Sequence, residues 1–308
     1  MWIVFFWSRL FVEKFLCILK MEMLQETIKK ITGRHETFIT DEFIATRINI
    51  KLKELSPLCR QIKSVHEQGT GWHGIDIIVF YLLGVERIYT TDVRDLLKMD
   101  IVRKVVSFLV RNSNKYSVYE DKILFLKENI KYDRAQFLSS INTVYCVNDR
   151  FDKFRNLNDF YKEGFDMFYS DSVLQRFKIS DLREYIVSTL SLSNNESFHY
   201  HKVDCKDFFS IRNQKIPQLY YLRVNNFVWE TLTCRKLNYQ NRLRIFDFVL
   251  FFEQSWGKTK TRNELINDEC VDYIQKYNIQ ILFPDHTIHE IATTQFSLIS
   301  SIKLRHEI

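Results

Sequence analysis

Glycine and proline are scarce in this chain, with seven and three residues in 308. Flexible linkers draw on both, so their scarcity argues against modules joined by a tether and favours one compact unit. Alanine occurs at Ala45, Ala135 and Ala292, while phenylalanine occurs 26 times. That bias matches an AT-rich coding background, so the aromatic content is weak evidence for base stacking. The six cysteines (Cys17, Cys59, Cys146, Cys205, Cys234 and Cys270) form no Cys-x-x-Cys pair. This argues against a structural zinc site and a small disulfide scaffold, and reduced thiols in the cytoplasm are expected. No long basic run accompanies the net charge of +6, so nucleic acid is not indicated as a partner. No uncharged apolar run reaches the roughly 18 to 20 residues that a bilayer span needs.

What is present is a core. Hydrophobic residues make up 46% of the chain, enough for a globular α/β protein. Residues 1–20 are strongly apolar but are interrupted by Arg9, Glu13 and Lys14. Three readings compete for them: an interfacial helix giving peripheral membrane contact, a helix packed on the main domain or a partner, and upstream sequence before a start at Met21 or Met23. The last two are favoured. Leu24 to Leu58 has mostly helical spacing and is expected to break at Pro57, giving an N-terminal helical extension over 1–58 and a main domain over 59–308.

Within that domain, strands are expected at Ile62–Gln68, Arg87–Thr91, Asn142–Val147, Phe165–Ser170, Glu196–Val203 and near Ile291–Ile302, the last as a closing strand. Helical patterns lie between them at Ile75–Leu83, Asp95–Val110, Ser117–Lys127 and Asp181–Leu190, and a further helix is read at Tyr239–Glu253. Alternation of this kind predicts a Rossmann-like, doubly wound, mostly parallel sheet. Lys63, Ser64 and His66 make the first strand polar for one buried on both faces.

Three of the seven glycines, Gly69, Gly71 and Gly74, fall within six residues between the first strand and its helix. Glycine serves where a backbone takes positive φ or a ligand comes close, so this turn is the candidate binding loop. Its Gly-x-Gly-x-x-Gly spacing, with Asp92 ending the second strand, fits a dinucleotide. Glu67 just before the first glycine favours a cationic, phosphate-free ligand instead.

Glu67-Gln68-Gly69-Thr70-Gly71 resembles the first motif of class I S-adenosylmethionine-dependent methyltransferases. Asp92 resembles that family's ribose-binding acid, and Phe165 to Leu174 is similar to its fourth-strand motif. His201 to Phe209, followed by Tyr239-Gln240-Asn241-Arg242-Leu243-Arg244, resembles a bacterial methyltransferase-domain subgroup. The resemblance implies a seven-stranded sheet with an antiparallel closing strand and S-adenosylmethionine as cofactor. It implies Glu67, Gly69 and Gly71 at the methionine end, Thr70 and Trp72 lining the cavity, Asp92 on the ribose, and Asn148 or Asp149 near adenine. The acceptor would be a small molecule, a glycan or a lipid-linked group. A non-catalytic Rossmann-like binding or scaffold protein is the alternative.

A hydroxyl or amine acceptor must lose a proton, and Asp171, His199 and His201 are the candidate bases, with Asp171 and His201 preferred. His199 and His201 share a strand face, but with no third ligand evident no metal is expected. His286 and His289, after Pro284, read as solvated surface, and Lys258, Lys260 and Arg262 as a solvated loop. Arg242 and Arg244 either bind an acidic acceptor or pair with acids.

Overall fold

The computed structural model describes residues 39–147, 164–208, 210, 213–225, 227–229 and 239–301. The readings made for 1–20 and for Asn148, Asp149 and Phe209 lie outside the described residues. The elements in chain order are α1 (Asp41–Cys59), β1 (Ser64–Gln68), α2 (Ile75–Leu83), β2 (Arg87–Asp92), α3 (Met99–Arg111), α4 (Glu120–Asn129), α5 (Arg134–Ser140), β3 (Thr143–Val147), β4 (Phe165–Asp171), α6 (Ile179–Leu190), β5 (Ser193–Asp204), α7 (Ile245–Trp256), β6 (Thr259–Ile266), α8 (Asp268–Lys276), α9 (Ile288–Ala292) and β7 (Thr293–Ser301). The seven strands form one sheet in the order β3-β2-β1-β4-β5-β7-β6. β1 pairs in parallel with β2 and β4, β2 in parallel with β3, and β7 antiparallel with β6. This is the mostly parallel, seven-stranded sheet with an antiparallel closing strand that the sequence implied.

The described residues form two compact units, one from those within 39–169 and 191–198, the other from those within 170–190 and 199–301. In the first, the Thr40 side chain caps α1 by accepting from the Phe43 N–H at 3.1 Å. The helix buries the stripe Ile44, Ile48, Lys51 and Leu55. Pro57 does not break it: a proline in the last turn disturbs little beyond the helix end, and α1 runs on to Cys59. α2 is apolar almost all round and correspondingly buried, and it ends at Gly84, whose left-handed backbone lets its N–H reach the Phe80 and Tyr81 carbonyls.

β1 is buried along its whole length despite its polarity. Asp166 of β4 accepts from the Ser64 N–H and hydroxyl at 2.8 and 3.1 Å, and Thr91 donates to Gln68 Oε1 at 3.0 Å. Ser64 and Gln68 are thus matched by partners distant in sequence.

In the second unit, β5 and α7 carry the aromatic packing. Phe248, Phe252 and Trp256 of α7 are buried, while a separate cluster gathers Leu219, Tyr221, Trp229, Ile274 and Ile291. Two expectations are corrected. Residues 239–244 are irregular and not the start of α7, because their side chains are committed to main-chain groups, as described below. Of the expected loop residues Lys258, Lys260 and Arg262, Lys258 lies outside regular structure just before β6, while Lys260 and Arg262 lie within β6, an edge strand whose outward face is charged.

Candidate functional site

β1 delivers the chain to the turn. Gly69, Gly71 and Gly74 all have positive φ, at 88°, 65° and 62°. The Gly69 and Thr70 N–H groups donate to the Thr91 carbonyl at 2.7 and 3.2 Å, and the Gly71 N–H donates to Asp92 Oδ2 at 2.9 Å. The glycines differ in what they accommodate. A Cβ on Gly74 would meet Leu97 Cδ1 at 3.0 Å and Val102 Cγ2 at 3.2 Å, so this glycine serves close packing. A Cβ on Gly71 would meet nothing within 4 Å, so this glycine borders open space that a ligand can approach. His73 is accounted for locally, since its Nδ1 accepts from the Ile75 N–H at 3.2 Å at the start of α2. Trp72 is half-buried beside it, with ring centroids 5.5 Å apart.

Beneath the turn lies a buried set of acids. Glu67 is 1% exposed and Asp76 and Asp92 are each 7% exposed. Thr90 donates to Glu67 Oε2 at 2.5 Å, and the Thr70 and Thr90 hydroxyls are themselves hydrogen-bonded. The Lys51 ammonium pairs with Asp76 Oδ1 at 2.8 Å and donates to the Tyr169 hydroxyl. Burial is the first cause that raises the Glu67 carboxyl well above the usual range, and the Asp76 carboxylate adds to it; the Thr90 hydroxyl and the Lys51 ammonium oppose it. Burial also raises Asp92, against the N–H groups of Gly71 and Arg94. Asp92 is not a helix cap: its Oδ1 accepts from the Arg94 N–H at 3.2 Å, and α3 begins later, at Met99.

Lys51 and Asp76 escaped the sequence reading, although each carries a signal. Lys51 stands on the apolar stripe of α1 in line with Ile44, Ile48 and Leu55, and Asp76 is the single acid in the nine residues of α2. A charge on an apolar face needs a buried partner.

The remaining candidates separate clearly. Asp171 ends β4 and is half-buried; it accepts at 2.8 Å from the hydroxyl of Ser172, a non-glycine residue with φ of 60°. Such backbone is uncommon outside glycine and clusters at active sites and ligand clamps. His201, the other preferred base, has a different setting. It is fully buried, its Nδ1 lies 2.8 Å from the Ser170 hydroxyl and its Nε2 lies 2.8 Å from His199 Nδ1. His199 Nε2 in turn reaches the Thr189 hydroxyl at 3.1 Å, so the two histidines form a closed chain among Tyr185, Phe252 and Trp256.

Arg242 and Arg244 bind the protein itself. Arg242 donates to the Val224 and Leu222 carbonyls at 2.5 and 2.9 Å. Arg244 is fully buried and donates to the Cys205 carbonyl at 3.2 Å, the Tyr221 hydroxyl at 2.8 Å and the Thr293 carbonyl. Gln240 and Asn241 likewise bond to the Lys206, Leu174 and Phe177 carbonyls. His286, read as solvated, stacks on Phe246 with centroids 3.4 Å apart. Among the described residues no group of three or more His, Cys, Asp or Glu side chains is placed to hold a metal ion, and no helix is long and apolar enough to cross a membrane.

Comparison with known proteins gives similarity of structure at low sequence identity. An O-methyltransferase family protein from Burkholderia thailandensis aligns with a TM-score of 0.43 and 10% identity, over 89% of this chain and 62% of that one. A SAM-dependent methyltransferase from Archaeoglobus fulgidus aligns with a TM-score of 0.45 and 12% identity, over 85% of this chain and 94% of that one. An O-methyltransferase from Streptomyces achromogenes, involved in tomaymycin synthesis and solved in complex with SAM, aligns with a TM-score of 0.38 and 12% identity, over 82% and 79%. No family model and no curated protein matches the chain.

Proposed function

We propose that this chain is a class I methyltransferase that binds S-adenosylmethionine at the glycine turn and methylates a small-molecule, glycan or lipid-linked acceptor in the cytoplasm. The observation that carries this reading is the open space at Gly71, bordered by the Asp92 carboxylate and underlain by the buried acids Glu67 and Asp76 with the Lys51 ammonium. A buried excess of carboxyls favours a cation and opposes a pyrophosphate, which separates the proposed ligand from a dinucleotide.

The residues fit the ligand's parts. Gly71 gives close approach, and Asp92 accepts from backbone N–H groups of Gly71, Arg94 and Val93 and keeps a lone pair that can accept from a ribose hydroxyl. Thr70 and Trp72 border the turn, and Asn148 or Asp149 is the proposed contact to adenine. When bound, S-adenosylmethionine supplies a methyl group on an electrophilic sulfonium. The chain must then orient the acceptor and take its proton, and Asp171 is the proposed base.

A second reading, a non-catalytic protein with an eroded pocket, draws on one observation: the Glu67 carboxyl is held by Thr90 and nearly closed off from solvent. Titration calorimetry with S-adenosylmethionine and S-adenosylhomocysteine decides between them. Binding of both is expected, and absence of heat at millimolar ligand would sink the methyltransferase reading. With an acceptor identified by mass spectrometry of methylated product, Asp171→Asn should lower turnover about a hundredfold or more while donor affinity stays within about twofold.

A further inference from the structure

Glu67 sits where its charge state must respond to what occupies the turn. Its partners come from every element packed around it. Lys51 and Asp76 stand on α1 and α2, Thr90 and Asp92 on β2, Thr70 in the turn, and Tyr169 opposite Glu67 in the register of β4. Of these, one is a cation, and it is already committed at 2.8 Å to Asp76 and bonded to the Tyr169 hydroxyl. Among the described residues, ionised Glu67 would be a third carboxylate beside Asp76 and Asp92, against the Lys51 ammonium and, acting on Asp92, the Arg94 guanidinium, in a place from which water is nearly excluded. A hydrogen-bonded line of hydroxyls, Thr90 then Thr70, leads from this carboxyl to the residue between Gly69 and Gly71. When the acid holds its proton, the bond to Thr90 reverses and the line can pass that proton outward.

We infer that Glu67 makes the turn discriminate by ligand charge: the cationic methyl donor is taken up with release of the Glu67 proton along Thr90 and Thr70, whereas the neutral thioether left after transfer is bound without that release. The inference rests on the reading of the turn as the methyl-donor site. Donor and product differ by one methyl group and one positive charge and share the same amino-acid end. The donor's extra charge supplies the counter-charge that the buried acids lack, and the product does not. Glu67 would then favour donor over product and ease exchange after turnover.

The test is calorimetry of S-adenosylmethionine and S-adenosylhomocysteine in two buffers of equal pH and different protonation enthalpy. The donor should release up to about one proton more than the product, and because both share the amino-acid end, its titration cancels in that difference. The affinity ratio of donor to product should rise with pH by up to about tenfold per unit while free Glu67 is protonated, and flatten once it ionises. In Glu67→Gln both ligands should bind with a ratio independent of pH. In Thr90→Val, which removes the donor to the carboxylate, the rise should extend to higher pH. Equal proton release by the two ligands, or an unchanged pH-dependent ratio in Glu67→Gln, overturns the inference while leaving the methyl-donor reading intact. Absence of heat with either ligand overturns both. Thermal unfolding of each variant is recorded alongside, and if Glu67→Gln fails to fold, Thr90→Val and the wild-type difference between ligands decide.

Discussion

His66 and Glu67 are neighbours on β1 and, by the alternation of a strand, face opposite sides of the sheet. Both are buried and both are titratable, but their surroundings diverge. His66 lies among the rings of Tyr89, Phe165 and Phe168, with centroids 5.5, 5.4 and 5.9 Å away. Glu67 lies among hydroxyls, carboxyls and one ammonium below the open space at Gly71. Burial therefore does not mark a site by itself. What marks it is burial together with unbalanced charge and room for a ligand. The second unit repeats the solution found at His66: His199 and His201 are packed by rings and bonded in a closed chain, and the Arg244 guanidinium is spent on carbonyls.

The largest effect that would break this comparison is the acid response of His66. Burial pushes its imidazole down from 6.5 to about 3. A histidine kept neutral in the folded state contributes stability that is complete above its unfolded value near 6.5, and that is lost as pH falls toward 3. The slope is about 1.4 kcal/mol per pH unit, or about 5 kcal/mol in all. Urea unfolding of wild type and His66→Phe across that window should show the difference shrinking to the variant's advantage in acid. An unchanged difference would place His66 in contact with water. Glu67 has the opposite sign: its carboxyl is raised in the folded state, so it gives stability that is complete below its unfolded value near 4.5 and is lost as pH rises from there through the raised folded-state value, and Glu67→Gln should flatten that loss.

Arg244→Met comes next. It should cost about 4 kcal/mol in denaturant unfolding, because the Cys205 and Thr293 carbonyls and the Tyr221 hydroxyl each lose a charged donor in a dry interior. Asp92→Ala should cost donor affinity about ten- to a hundredfold by calorimetry, the worth of hydrogen bonds to a charged acceptor, with little change in stability. If the two variants exchanged their effects, the division between scaffold and site would fall.

Much of the fold was legible because periodicity and glycine placement are local signals. α2 and β2 fall almost where the apolar run and the β-branched residues put them, and the turn between β1 and α2 is set by glycines whose φ values the sequence anticipates. What was not legible depends on partners far along the chain. The polarity of β1 is resolved by Asp166, Thr90 and Thr91, and the cation of the site comes from Lys51, which stands before the strand it serves. β6 was hidden because an edge strand can stay charged on its outer face, and Asn263, with φ of 54°, lies within its irregular pairing with β7. Arg242 and Arg244 misled for a related reason: composition cannot tell a guanidinium that binds an acceptor from one that binds its own main chain.

The smallest effect concerns His201, where the two roles make opposite demands. Replacing it by phenylalanine keeps a ring of similar size among Tyr185 and Phe252, but removes the bonds to the Ser170 hydroxyl and to His199 Nδ1, both 2.8 Å long. Two neutral hydrogen bonds whose partners remain buried are worth about 1 kcal/mol each, so His201→Phe should lower unfolding stability by about 2 kcal/mol. Donor affinity should stay within about twofold of wild type, because the residues proposed to hold the donor include neither Ser170 nor His199. His201→Phe with full stability and lost methyl transfer would reverse the assignment. The histidine would then belong with Glu67 as a group whose proton matters, and burial among rings would no longer distinguish packing from chemistry in this protein.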